Sequence, residues 1–293
     1  MQDYYFNMEI NSTNVRHKKV RQIATASLLN LMWAMAPGLT RRLLLKLFFS
    51  PKRYQTNTEE EAIVSKGRPF QFRVHEKTIH GWRWGRGPEV LLFHGWNGRG
   101  IQLHSFIEPL TASGYTAVAI DGPAHGASSG KVTSYFEFTD VLRKFLTEER
   151  EARVQGIIAH SFGAAAAINA LTKEKMAVKT VCIAPVLRLQ ELLCSALDHY
   201  GIPQRLYHCL IREFEARYGY HLDQDNPHRL LKSLSGPLLI VHDVRDRTVP
   251  YRDSAHQAQA LEQIGLWPTE GLGHNRILHD GAVVAQCMAY LKG

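Results

Sequence analysis

Val154-Gln155-Gly156-Ile157-Ile158-Ala159-His160-Ser161-Phe162-Gly163-Ala164-Ala165-Ala166-Ala167 is the stretch on which the fold turns. An apolar, β-branched run passes without a spacer into an alanine-rich one, which predicts a buried strand leading straight into a helix. Ser161 falls at the turn between them, in the pattern G-x-S-x-G with Ala159 in place of the first glycine. At such a turn the hydroxyl is held exposed, and small neighbours let strand and helix approach closely. Gly163 supplies one such neighbour, while Ala159 adds a methyl group. A serine before Phe-Gly-Ala can also do no more than cap a helix. The pentapeptide therefore needs partners elsewhere in the chain.

Outward from this point, VLLFHG (90–95), TAVAID (116–121), TVCIAP (180–185) and PLLIVHD (237–243) are further near-continuous apolar runs, as in strands buried on both faces of a parallel sheet. SFIEPLTASG (105–114), FEFTDVLRKFLTEER (136–150) and FGAAAAINALTKEK (162–175) separate consecutive runs and read as helices. The alternation predicts an α/β fold with a doubly wound, mostly parallel sheet. FQFRVHEKTIHGWRWG (70–85) reads as an antiparallel pair with turn or bulge chemistry near Gly81. Between Leu187 and Gly236 the rhythm breaks. Two helical stretches, RLQELLCSALDHYG and LYHCLIREFEARYG, followed by a polar segment, predict a helical cap insertion. The expected division is a basic, apolar helical extension over 1–60, a sheet domain over 61–186 and 237–293, and a cap over 187–236.

The 293 residues, 45% hydrophobic and 21% charged, suffice for one large α/β domain and exclude fibrous and disordered classes. The net charge of +8 is unevenly placed: residues 1–57 carry nine Lys and Arg against Asp3 and Glu9, which leaves the rest nearly neutral. A nucleic-acid groove over the main domain needs clustered cations that the sequence does not supply there, so no nucleic-acid partner is expected. Cys182, Cys194, Cys209 and Cys287 form no C-x-x-C pair, and reduced thiols in a cytoplasmic protein are the expectation. Lys18, Lys19 and Arg21 before an apolar stretch ending Ala34-Met35-Ala36 imitate a signal peptide. The basic region starts late, however, Asn30 interrupts the run, and Pro37 would follow the cut.

A serine hydroxyl is a weak nucleophile until a base takes its proton, and that base needs an orienting carboxylate. Both types of residue follow downstream. Asp246 opens Asp246-Arg247-Thr248-Val249-Pro250 after PLLIVHD, and His274 lies in the Gly-flanked run Gly271-Leu272-Gly273-His274-Asn275. Asp243 competes for the carboxylate role, but at the strand end its side chain suits tightening the turn, so Asp246 is preferred. The oxyanion of a tetrahedral intermediate calls for preorganised N–H donors. Phe162, next to Ser161, offers one, and Trp96 in His94-Gly95-Trp96-Asn97-Gly98 offers the other. His94 and His160 flank these positions without metal-ligand spacing, so neither a metal nor a cofactor is expected.

These motifs, with Asp121-Gly122-Pro123-Ala124-His125-Gly126-Ala127-Ser128, make residues 70 to 293 resemble an α/β-hydrolase-fold protein of the serine-hydrolase, esterase or lipase type. The resemblance implies Ser161 as nucleophile, His274 as base, Asp246 as its orienter, and Trp96 and Phe162 as oxyanion donors. It implies hydrolysis of a small-molecule ester or acyl substrate through an acyl-enzyme on Ser161. Thioesterase, amidase, acyl transferase and membrane-surface lipase remain alternatives on the same triad, and a non-catalytic ligand-binding protein is the reading from another class. Substrate contacts would lie in the cap, where Tyr200, Leu206, Tyr207 and Phe214 are candidates.

The first 60 residues fall outside the resemblance. Val20, Ile23, Ala24, Leu28, Leu31, Met32 and Met35 approximate a helical stripe, although Leu29 and Trp33 lie off it and make the segment apolar over more than one face; Leu43-Leu44-Leu45-Lys46-Leu47-Phe48-Phe49 follows, flanked by Arg41, Arg42, Lys52 and Arg53. An apolar helix most often buries its face within its own chain. The same pattern can instead lie at an anionic membrane, where each nearby cation contributes about 1 kcal/mol.

Overall fold

The computed structural model describes residues 12–293; Asp3 and Glu9 of the basic segment lie outside the described residues. The helices are α1 (Ser12–Met35), α2 (Pro37–Phe49), α3 (Thr58–Val64), α4 (Ile107–Ala112), α5 (Tyr135–Lys144), α6 (Ser161–Lys173), α7 (Leu189–Tyr200), α8 (Gln204–Tyr218), α9 (Pro227–Leu230), α10 (Tyr251–Ala260), α11 (Gly273–Arg276) and α12 (Gly281–Lys292). The strands are β1 (Arg68–Val74), β2 (Lys77–Trp84), β3 (Glu89–Phe93), β4 (Thr116–Ile120), β5 (Val154–His160), β6 (Lys179–Ile183), β7 (Leu238–Asp243) and β8 (Ile264–Thr269).

All eight strands form one open sheet in the order β1-β2-β4-β3-β5-β6-β7-β8. The β1–β2 and β2–β4 pairs are antiparallel and the rest are parallel. The five apolar runs became β3 to β7 because they are buried on both faces. Val90, Leu92, Ala117, Ala119, Ile158, Val181 and Val241 point one way into a core closed by α4 and α12. From the other face Phe93 meets Phe138 of α5, ring centroids 5.3 Å apart.

The hairpin differs from its sequence reading at the turn. The chain reverses at His75, with φ 52°, whereas Gly81 lies inside β2, paired with Phe70 and Ile120. A Cβ at Gly81 would stand 2.5 Å from the Phe70 ring and 2.8 Å from the Ala119 carbonyl, so the glycine serves close packing and not a turn.

The chain divides into two compact units, residues 51–187 with 227–293, and residues 12–50 with 188–226. This grouping differs from the three-part division read in the sequence. Residues 51–60 belong to the sheet unit, because Lys52 N–H donates to Asn97 Oδ1 and Arg53 donates to the carbonyls of Gly126, Ser128 and Gly130. The segment 227–236 joins it through α9, which packs on α6.

The helical unit combines α1 and α2 with α7 and α8. Gln22 Nε2 donates to the carbonyls of Asp198 and His199, where α7 ends. Gly201 makes that approach feasible: its φ is +68°, and a Cβ there would stand 2.4 Å from Gln22 Cα. Arg41 forms a forked ion pair with Glu213, and Phe49 packs on Phe214 at 4.6 Å and on Tyr207 at 6.2 Å. No described helix is long and apolar enough to cross a membrane.

Candidate active site

The strand order reverses between β3 and β5: from β3 the chain moves outward to β4, then returns to β5 on the other side. Such a switch point leaves a crevice at the carboxyl ends of the strands. Ser161 follows β5 there with φ 54°, an uncommon conformation for a residue with a side chain. Gly163 is required by contact, since a Cβ would fall 2.2 Å from the His94 carbonyl oxygen. Ala159 carries its methyl fully buried within β5, between Phe93 and Cys182 on the neighbouring strands.

The structure brings Ser161, His274 and Asp246 together, although 113 and 28 residues separate His274 from its partners. His274 Nε2 lies 3.0 Å from Ser161 Oγ and its Nδ1 lies 2.7 Å from Asp246 Oδ2. Asp246 Oδ1 accepts from the N–H groups of Thr248 and Val249 at 2.7 and 3.0 Å. Burial opposes charge on Asp246, but hydrogen bonds from His242, His274 and Val249 outweigh it and hold the carboxyl well below its usual range. The acid therefore stays ionised at neutral pH.

Asp243 is occupied otherwise. Its carboxylate accepts from the N–H groups of Arg245 and Leu272 and from the Thr269 hydroxyl, tying β7, β8 and the loop that carries His274. These donors outweigh burial and keep its carboxyl below the ordinary value.

Four further histidines surround the crevice, and the hydrogen bonds fix most of their roles. His94 Nε2 accepts from Gly122 N–H at 2.8 Å, so its proton sits on Nδ1, facing the Gly95 carbonyl. His125 Nε2 accepts from Asn97 N–H at 3.1 Å while Nδ1 donates to the Pro123 carbonyl. Both rings are buried neutral: desolvation pushes His94 well below its ordinary value and His125 down to about 4. They pin the two sides of the loop carrying Trp96. Among the described residues no acceptor takes the Trp96 N–H, and the Phe162 N–H lies in the first turn of α6, where a helix leaves donors unpaired. The two rings meet edge to face at 5.2 Å, and a Cβ at Gly95 would stand 2.9 Å from Ser161 Cβ. Both candidate oxyanion donors are thus beside the serine.

His160 donates from Nε2 to the His274 carbonyl at 2.9 Å, and desolvation lowers it to about 3. His242, buried at the end of β7, was not singled out by sequence reasoning. Its Nε2 faces two acceptors, the Val249 carbonyl at 3.2 Å and Asp246 Oδ2 at 3.3 Å, so the proton belongs there and Nδ1 accepts from the Ser254 hydroxyl at 2.8 Å. The only sequence signal was a histidine four residues before Asp246. Among the described residues no group of three or more His, Cys, Asp or Glu side chains is arranged to hold a metal ion.

Of the four candidate substrate contacts, Leu206, Tyr207 and Phe214 are buried, with Tyr207 and Phe214 against Phe49 in the helical unit, and Tyr200 is exposed. Their spacing places three of them on the inner stripe of α8, where packing claims them.

Ser161, His274 and the buried Asp246 thus stand in hydrogen-bonded series at the carboxyl ends of the strands, close to Trp96 and Phe162. The Alpha/beta hydrolase family model matches residues 90–286, and the chain belongs to that family. Among solved structures it is similar to an esterase from Pyrococcus furiosus, with a TM-score of 0.65 and 22% identity over 83% of this chain and 97% of that one. A membrane phospholipase A described as a bacterial virulence factor gives 0.60 and 19% over 91% and 96%. The thioesterase domain from the curacin biosynthetic pathway gives 0.57 and 18% over 78% and 99%. No curated protein matches the sequence.

Proposed function

We propose that the protein is a serine hydrolase that cleaves a carboxylic ester through an acyl-enzyme on Ser161. The observation that carries the proposal is the hydrogen-bonded series Ser161 Oγ, His274 Nε2, His274 Nδ1 and Asp246 Oδ2. Ser161 Oγ attacks the acyl carbon as His274 Nε2 takes its proton. The N–H groups of Trp96 and Phe162 receive the oxyanion, a contribution of about 3 kcal/mol per donor in such sites. His274 then returns the proton to the departing alcohol. Water, deprotonated by the same imidazole, attacks the acyl carbon, and His274 returns that proton to Ser161 Oγ as the bond to the acyl group breaks and the carboxylic acid leaves.

An ester is favoured as substrate by the similarity to the Pyrococcus furiosus esterase. The similarity to a thioesterase domain keeps a thioester as the second reading, since the same steps serve a thiol leaving group. Cytoplasmic residence with free cysteines belongs to the same proposal. The test is hydrolysis of short- and long-chain 4-nitrophenyl esters, an acyl thioester and an anilide by wild type and Ser161→Ala. Ester turnover lowered at least 10³-fold in the variant is expected. Turnover unchanged in Ser161→Ala would overturn the proposal.

A further inference from the structure

Helix α1 turns most of its large apolar side chains outward. Its hydrogen bonds to α7 and α8 come from the opposite face: Gln22 reaches the α7 terminus, and Asn30 Oδ1 accepts from Arg205 at 2.9 Å. Leu29 is buried, but Val20, Ile23, Ala24, Ser27, Leu28, Leu31, Ala34 and Met35 are exposed. These positions repeat at three- and four-residue steps and so share one face. Ile23 is 67% exposed and Met35 78%. The apolar stripe legible in the sequence faces outward.

Helix α2 continues the pattern. Leu44 and Phe49 point inward, and Leu39, Leu43 and Leu47 are exposed along one row. Eight of the eleven large apolar side chains exposed among the described residues lie on these two helices. Single exposed leucines need no explanation, whereas a continuous patch marks an interaction surface.

Charge selects the partner. Neither helix contains Asp or Glu. Arg42 and Lys46 are exposed on the row next to Leu39, Leu43 and Leu47, and Lys19 and Arg21 are exposed at the start of the stripe. Cations interleaved with leucines on one helical face suit a bilayer interface, where the side chains sink into the acyl boundary and the cations reach anionic headgroups. A second copy of this face would oppose cation to cation. We infer that the outward face of α1 and α2 docks this protein on an anionic lipid surface without crossing it.

The inference is independent of the serine chemistry and is tested on full-length Ser161→Ala protein, which lacks the hydroxyl proposed to attack an ester. Sedimentation is compared on vesicles of phosphatidylcholine alone and with one quarter phosphatidylglycerol, at 0.1 and 0.5 M NaCl. Expected is binding to the anionic vesicles that falls at least fivefold at high salt. Adding Leu31→Asp with Leu43→Asp should lower the partition coefficient at least tenfold, and Arg42→Gln with Lys46→Gln at least threefold, with circular dichroism unchanged in both. Absence of binding, or equal binding by either double variant, would overturn the inference. So would a concentration-dependent dimer, seen by light scattering, that the leucine substitutions dissociate, because a second copy would then cover the face.

Discussion

His242 Nε2 stands 3.3 Å from Asp246 Oδ2, the same oxygen that His274 Nδ1 reaches at 2.7 Å. The candidate acid is therefore held by two imidazoles, and Ser254 fixes the proton of one of them. Removing the His242 donor leaves negative charge more concentrated toward His274. His242→Asn is expected to lower kcat about tenfold with little change in KM. Ser254→Ala should lower kcat in the same way by less. Unchanged kcat in both variants would reduce His242 to packing.

The two aspartates separate by consequence. Asp246→Asn should keep the fold and lower turnover on the order of 10⁴-fold, as expected when an orienting carboxylate is lost from a serine–histidine pair. Asp243→Asn removes acceptors that tie β7 to the His274 loop and should cost about 1–3 kcal/mol in denaturant unfolding. Turnover would stay within tenfold of wild type. The opposite pattern of activities would transfer the orienting role to Asp243.

Acid should destabilise the fold over a defined window. Burial lowers His94, His125 and His160 in the folded state, to about 4 for His125 and about 3 for His160, against about 6.5 in an unfolded chain. The unfolded chain then binds more protons, so stability is full above about pH 6.5 and falls with pH toward those lower values. Each histidine contributes up to about a tenfold change in the unfolding constant per pH unit. Urea midpoints at pH 7.5, 6 and 5 should decline in that order, and His125→Gln should flatten the decline. A constant midpoint would contradict the buried neutral rings.

Close approach at the serine turn can be tested by adding one carbon. Gly163→Ala puts a Cβ 2.2 Å from the His94 carbonyl, a contact that backbone must move to relieve. Overpacking of this kind costs about 1–3 kcal/mol, and it should slow ester turnover as well as lower Tm, because the displaced strand leads to Trp96. Wild-type Tm and rate would show that the turn is looser than this geometry.

The central strands and the serine turn were legible because burial on both faces writes a continuous apolar run, and tight packing writes small residues. β8 was not, since Ile264–Thr269 is a partly exposed edge strand interrupted by Gly265 and Pro268. The hairpin turn was misplaced because His75 takes a positive φ without glycine, while the glycine nearby answers a contact with Phe70 that no local pattern records. The α1 stripe showed its period in the sequence but not its direction. Periodicity defines a face, and the exposure of Ile23, Leu31 and Met35, with Gln22 and Asn30 bonded on the other side, shows that this one turns outward.

An activated Ser161 is the group that a fluorophosphonate should modify, as read by the intact mass of the protein followed by peptide mapping. Expected is one equivalent of label on Ser161, none in Ser161→Ala, and labelling slowed by orders of magnitude in His274→Gln. Label on another residue, or no label while ester hydrolysis proceeds, would contradict it.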